Sequence, residues 1–177
     1  MPEEKPNYPI VVLETTMGTI KLELWPDKAP ITVDNFLTYV REGFYDGLIF
    51  HRAVQNFVVQ TGGYEPGMVY RQPTHPPIKN EADNGLQNKR GTLAMARAYP
   101  INSAAAQFFI NLADNPKLDH KGPEPVNFGY AVFGRVISGL HLLEILASKP
   151  VTVREQHQNV PYEEEVILKA YVEGEPR

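Results

Sequence analysis

The sequence predicts a mainly β domain, a barrel or sandwich of short strands capped by helices. Three observations predict it. Short β-type apolar runs recur along most of the chain, only two stretches carry a helical period, and 16 prolines and 13 glycines punctuate the runs. Strands alternating with helices of about 10–15 residues would argue instead for βαβ units, and that alternation is missing. At 177 residues the chain has the length of one domain. A chain of this size buries roughly 70% of its unfolded surface and needs no disulfide or metal to hold together.

Residues 1–8 read as a loose leader, because Pro2, Pro6 and the neighbouring charges do not support regular structure. A single domain is expected over 9–173, with a short tail at 174–177. Ile10-Val11-Val12-Leu13 runs through Met17-Gly18 into Ile20-Lys21-Leu22-Glu23-Leu24. The second run alternates apolar and charged residues, the period of a half-buried strand, so a hairpin opens the domain. Val33, Phe36, Leu37 and Val40 then fall at i, i+3, i+4 and i+7, one stripe of an amphipathic helix. Pro30 suits its first turn and Gly43 the left-handed residue that ends it. A second helix is predicted from Ser138 as N-cap, with Leu142, Leu143 and Leu146 facing inward. Strands are predicted over 48–54, 57–60, 92–96, 108–112, 130–136 and 166–172. The proline-rich stretches 73–77 and 116–125 read as surface loops.

Composition narrows the function. The chain has no cysteine, a net charge of −4 and a pI near 5.7, so a zinc-thiolate site is excluded and no positive field would draw a nucleic acid. No run of residues is apolar enough for an export signal or a membrane span, and a cytoplasmic location is the expectation. The histidines at 51, 75, 120, 141 and 157 have no paired spacing, so no metal site is predicted. Glu163-Glu164-Glu165 reads as a solvated turn. Neither a phosphate-binding glycine loop nor a G-x-S-x-G elbow is present.

Two segments carry polar residues inside strand-like apolar sequence. One is Phe50-His51-Arg52, continuing to Phe57-Val58-Val59-Gln60-Thr61-Gly62-Gly63. The other is Gln107-Phe108-Phe109-Ile110-Asn111, preceded by Gly91-Thr92-Leu93-Ala94-Met95-Ala96. Arg52 or Gln107 taken singly could be an ordinary exposed strand residue or half of an ion pair. Together, F-H-R-x(4)-F-x-x-Q-x-G-G, G-T-L-A-M-A and Q-F-F-I resemble the cyclophilin signature in order and spacing. Tyr64-Glu65-Pro66-Gly67, Ile78-Lys79-Asn80-Glu81 and Val132-Phe133-Gly134-Arg135-Val136 extend the likeness over roughly residues 10–172. The chain is most similar to the short bacterial cytoplasmic cyclophilins.

That resemblance implies a closed eight-stranded antiparallel β-barrel capped by two α-helices, with peptides bound on its outer surface. It implies peptidyl-prolyl cis/trans isomerase activity without a cofactor. Its partners would be X-Pro peptides and unfolded or folding proteins, with no nucleic acid and no membrane. Arg52 matches the family's catalytic arginine. Phe57, Val58, Phe109 and Leu118 match the wall of the proline pocket. Gln60, Ala96, Arg97, Ala98 and Gln107 match positions that contact the peptide backbone, and Tyr130 stands where many members carry histidine.

Three residues depart from the family pattern. Thr61 replaces a usual glycine, Val58 a frequent methionine, and Lys117 the tryptophan of cyclosporin-sensitive members. Weak cyclosporin binding follows from the last, and Trp25 is expected on an early strand outside the groove. Two alternatives were open to the sequence, a non-catalytic proline-peptide-binding module on the same barrel and a small-ligand carrier with an open interior. Intact Arg52, Phe57, Gln60 and Phe109 argue against the first, and bulky apolar residues on most strands argue against the second.

Overall fold

The computed structural model describes residues 7–176. The expected leader therefore lies, for its first six residues, outside the described ones. The opening hairpin forms where the alternation placed it: β1 (Ile10–Thr15) pairs antiparallel with β2 (Gly18–Leu24). Ile20, Leu22 and Leu24 turn into the core, while Lys21 and Glu23 stay half exposed. Helix α1 (Pro30–Arg41) buries Val33, Phe36, Leu37 and Val40, with Pro30 in its first turn and Gly43 in the left-handed region just past its end. The next strands are β3 (Arg52–Val54), β4 (Val58–Thr61), the small hairpin β5 (Tyr64–Glu65) and β6 (Val69–Tyr70), β7 (Thr92–Met95) and β8 (Phe108–Asn111). A 3-10 turn (Pro116–Leu118) and one-turn helix α2 (Pro125–Phe128) give regular structure to the stretch expected to be a plain loop. Strand β9 (Val132–Ser138), helix α3 (Leu140–Ser148), the hairpin β10 (Val151–Arg154) and β11 (His157–Pro161), and β12 (Ile167–Val172) complete the chain.

Eight strands make one antiparallel sheet in the order β12-β1-β2-β9-β7-β8-β4-β3. The closed barrel expected from sequence is not formed, because β3 and β12 at the two ends of this order do not pair as strands. The predicted strand over 48–54 shortens to three residues, too few to carry a ladder across the seam. What spans it is a single bridge, Ile49 to Val166, with bonds from Gly47 N–H to Ile167 C=O (2.7 Å), from Ile167 N–H to Leu48 C=O (2.8 Å) and from Phe50 N–H to Glu165 C=O (3.1 Å). The result is a sheet curled into an open half-barrel.

Inside the curl lies the main core. Phe36 meets Phe108 edge-on with ring centroids 5.0 Å apart, and Tyr45 and Phe133 pack on the same ring. Interlocking aromatic rings of this kind dominate core energetics, and they take the space an open-interior carrier would need. From α3, Leu143 and Leu146 join this core and Leu142 packs on its margin. Ser138 does not cap α3. It is still paired with Lys21 in the ladder, so Gly139, in the left-handed region, takes the capping position. The β10–β11 hairpin was not foreseen: β10 alternates exposed and half-buried residues, and β11 buries only Val160 and Pro161 at its end.

Candidate active site

Strand alternation sorts the residues of β3, β4, β7 and β8 onto two faces. Ala53, Val59, Leu93, Met95, Phe108 and Ile110 enter the main core. Their neighbours turn the other way, and register brings them into one row: Arg52 lies opposite Gln60, Gln60 opposite Phe109, Phe109 opposite Ala94, and Ala94 opposite Val132. Val58, Ala94, Phe109 and Val132 form a second buried cluster on this face, away from the main core. Ala94 and Ala96 are small, which leaves room for the Phe109 ring beside them.

A cleft of about 270 Å³ sits over this cluster, walled by Phe57, Val58, Phe109, Leu118 and Tyr130 and edged by Arg52, Gln60, Ala96 and Arg97. The structure thus brings together nine of the twelve predicted site residues. Ala98 and Gln107 line an adjoining larger cleft of about 590 Å³, which shares Gln60, Ala96 and Arg97 with the first. Lys117 lines neither, but its Nζ lies 4.3 Å from the centroid of the Phe57 ring. Two residues that sequence reasoning did not place here also belong. Leu86 packs against the second cluster, and so does Trp25, just past the end of β2, although neither lines a cleft.

Each side chain has a local cause for its position. Asn56 adopts a left-handed conformation (φ 60°) in the turn between β3 and β4, which asparagine tolerates better than most residues. That turn presents Phe57 at the cleft edge. The Arg52 guanidinium is 5.8 Å from the Phe57 ring and makes no hydrogen bond or ion pair among the described residues. Gln60 Nε2 donates to Gln107 Oε1 at 2.9 Å. Beneath Gln107, Gly62 (φ 99°) and Gly63 bring backbone so close that a Cβ on Gly63 would stand 2.5 Å from the Gln107 amide nitrogen. A Cβ at Gly63 would displace the Gln107 side chain that pairs with Gln60, and one at Gly62 would crowd Ala106 C=O and Gln107 Cα. Thr61, the departure just before them, is fully buried and donates its hydroxyl to Ile49 C=O at 2.9 Å. It is held within β4, and the glycine turn starts after it.

Arg97 differs from Arg52 in being fully engaged. It donates to the carbonyls of Ala98, Tyr99, Pro125 and Gly129, and its guanidinium lies 5.6 Å from the Tyr130 ring. It therefore clamps the loop after β7 to the loop before β9 and steadies Tyr130, which stacks edge-on against Phe109. The turn bearing Lys117 and Leu118 is held by buried asparagines. Asn111 Nδ2 donates to Asn88 Oδ1, and Asn115 Nδ2 donates to Asn111 Oδ1 and to Phe57 C=O. Buried amides satisfied in this way make a stiff support.

His51, beside Arg52, is 5% exposed, its Nδ1 finds no partner, and its ring packs on Tyr64. Burial, with the nearby His157 and Arg52 charges, lowers its pKa from 6.5 to about 4. Between those values the unfolded chain binds a proton that the folded chain refuses. Stability is therefore complete above about pH 6.5 and declines as pH falls towards 4. From pH 7 to pH 5 urea unfolding should register a loss of about 2 kcal/mol. The exposed Glu124 and Glu175 carboxyls are held below the usual carboxylate range by hydrogen bonds from Asn127 and Arg41. His51→Phe should flatten the slope; an unchanged slope would assign it to another group.

Comparison with known proteins shows the family. The family model described as cyclophilin type peptidyl-prolyl cis-trans isomerase/CLD matches residues 10–172. The chain is 47% identical over 158 residues to peptidyl-prolyl cis-trans isomerase B of Escherichia coli (strain K12), covering 89% of this chain and 96% of that one. It is 48% identical over 164 residues to peptidyl-prolyl cis-trans isomerase cyp18 of Streptomyces antibioticus, covering 93% and 98%. Among solved structures, a Cryptosporidium parvum cyclophilin type isomerase in the presence of the dipeptide Ala-Pro superposes with a TM-score of 0.75. It shares 27% identity, over 94% of this chain and 99% of that one.

Proposed function

The chain belongs to the cyclophilin-type peptidyl-prolyl cis-trans isomerases and catalyses rotation about X-Pro peptide bonds, and we propose that it does so in the cleft beside Arg52. The observation that carries this reading is the pairing of a guanidinium that makes no hydrogen bond or ion pair among the described residues with a cleft walled by Phe57, Val58, Phe109 and Leu118. Rotation about a peptide bond loses amide resonance, a barrier of about 18–20 kcal/mol, although the two X-Pro ground states differ by only about 0.5–1 kcal/mol. No bond breaks. Midway through the rotation the prolyl nitrogen becomes pyramidal and its lone pair can accept a hydrogen bond.

On this reading Arg52 donates to that nitrogen. A donor that finds an acceptor only in the twisted state stabilises the transition state over both planar forms, which is the condition for acceleration. Guanidinium suits the task because it stays protonated and its donors lie in a fixed plane. Phe57, Val58, Phe109 and Leu118 anchor the proline ring, with Tyr130 closing the wall. Gln60, Gln107 and the 96–98 backbone hold the peptide on one side while the other turns. The test is a chymotrypsin-coupled rate measurement on an X-Pro tetrapeptide. A rate insensitive to substitution of Arg52 would move the reaction elsewhere.

We further read residues 9–173 as one domain, with unfolded or folding proteins as clients and the cytoplasm as its location. Among the described residues no helix is long and apolar enough to cross a membrane. The net charge of −4 speaks against nucleic acid as a partner.

Cyclosporin should bind weakly, with Lys117 as a main cause. A lysine offers a flexible stem and a hydrated ammonium where a tryptophan would supply a flat apolar surface and an N–H donor. Lys117→Trp should recover about 1–3 kcal/mol, roughly 5–150-fold in affinity. Trp25 packs against the cluster behind the cleft and would contribute to any fluorescence change, so calorimetry is the better measurement. Nanomolar binding by the unmodified protein, or no gain in the variant, would refute the idea.

A further inference from the structure

We propose that Lys117 is a specificity-determining residue that favours peptides carrying a carboxylate within two residues of the proline. The carboxylate would sit on the flank leaving the cleft over Phe57. The inference rests on the reading above, that the proline occupies the cleft beside Arg52. The larger adjoining cleft continues from Gln60, Ala96 and Arg97. Phe57 and Leu118 wall the smaller one, and Lys117 stands over the Phe57 ring outside both. A peptide seated with its proline between these ends passes one flank along the larger cleft and the other over Phe57 and Lys117.

The charge of Lys117 is uncommitted. It makes no hydrogen bond or ion pair with another side chain among the described residues. The acids on either side of it in sequence are occupied, since Asp114 accepts the Arg90 N–H and Asp119 accepts the Asn88 N–H. Of the two arginines that edge the cleft, Arg97 is spent on four carbonyls and Arg52 is assigned to the prolyl nitrogen.

Its root is fixed as well. Asn115 precedes the turn that carries Lys117 and is bonded to Phe57 C=O, while Leu118 C=O accepts from Asn88 Nδ2 and from Tyr130 N–H. The ammonium rests on the aromatic face, 4.3 Å from its centroid, a favourable site for a cation. An ammonium already held over the cleft wall loses less freedom on pairing than one on a freely swinging stem. It adds an attraction on the side where the aromatic edge is otherwise apolar.

The test compares matched pentapeptides by NMR exchange spectroscopy. Each has Ala-Pro with proline at the centre, and Glu or Gln is placed two residues before, or two residues after, that proline. The readout is the ratio of kcat/KM for the Glu peptide to that for the Gln peptide. An exposed ion pair is worth about 1.5- to 5-fold, so the ratio should reach that range at one of the two positions. It should shrink towards one at about 1 M salt, where the Debye length is about 3 Å. Lys117→Gln should bring the ratio to one and Lys117→Glu should invert it. A ratio of one at both positions in the unmodified protein, with turnover of the Gln peptides still dependent on Arg52, overturns the lysine inference alone. Turnover that does not depend on Arg52 overturns the cleft reading and this inference with it.

Discussion

Replacing Arg52 with alanine is expected to lower kcat/KM for an X-Pro peptide by about 10²–10³-fold, or about 2.7–4 kcal/mol of transition-state stabilisation. The melting temperature should barely change. Both halves of this expectation come from the same fact. The guanidinium has no hydrogen bond or ion pair among the described residues and rests only against the Phe57 ring, so its removal breaks no polar contact of the fold. Arg97→Ala makes the informative contrast. That side chain donates to four backbone carbonyls across two loops, so its loss should disturb stability and activity together. A protease-coupled assay alongside thermal unfolding separates the two cases. Retention of more than a tenth of the activity by Arg52→Ala would remove this arginine from the catalytic role.

Phe109→Ala should cost about 3–5 kcal/mol of stability, the usual range for deleting a buried aromatic ring, and should weaken catalysis as well. The ring is 5% exposed, contacts Tyr130 edge-on and forms the centre of the cluster beneath the cleft. Removing it leaves a void that Ala94, directly opposite, is too small to fill. Phe57→Ala should lose activity with a smaller drop in melting temperature, because Phe57 is half exposed at the end of a turn. Urea unfolding of both variants beside the activity assay tests the distinction. Equal loss of stability in the two would contradict the placement of Phe57 at the cleft edge.

Much of this site is legible in the residues. The order of Arg52, Phe57, Gln60, the glycine pair, Gln107 and Phe109 marks polar residues set inside strand-like runs, which fold as the neighbouring strands β3, β4 and β8. The alternation of Leu93 and Met95 with Ala94 and Ala96 also signals a face of small residues, a signal that could have marked the floor of the cleft. Other contributions carry no local mark. Trp25 is far from these motifs in the chain, Leu86, Asn88 and Asn115 lie just outside them, and nothing in their own neighbourhoods separates them from ordinary loop or strand-end residues.

What the sequence determined by itself are the properties that depend on near neighbours. The two-residue period of β2 set which of its side chains are buried, the 3.6-residue period of α1 set its inward stripe, and the motif residues named the chemistry. What only the tertiary structure decided are the properties that depend on partners remote in the chain. Register across five strands aligned Arg52, Gln60, Phe109, Ala94 and Val132 in one row. The shortness of β3 left the sheet an open curl where a closed barrel was expected. The pairing of Ser138 with Lys21 moved the start of α3 to Leu140, and the asparagine network brought the turn bearing Lys117 over Phe57. The physical reason is common to all four. A residue's intrinsic preference acts over a few bonds, whereas register, closure and side-chain networks are settled by contacts that exist only once distant segments have packed.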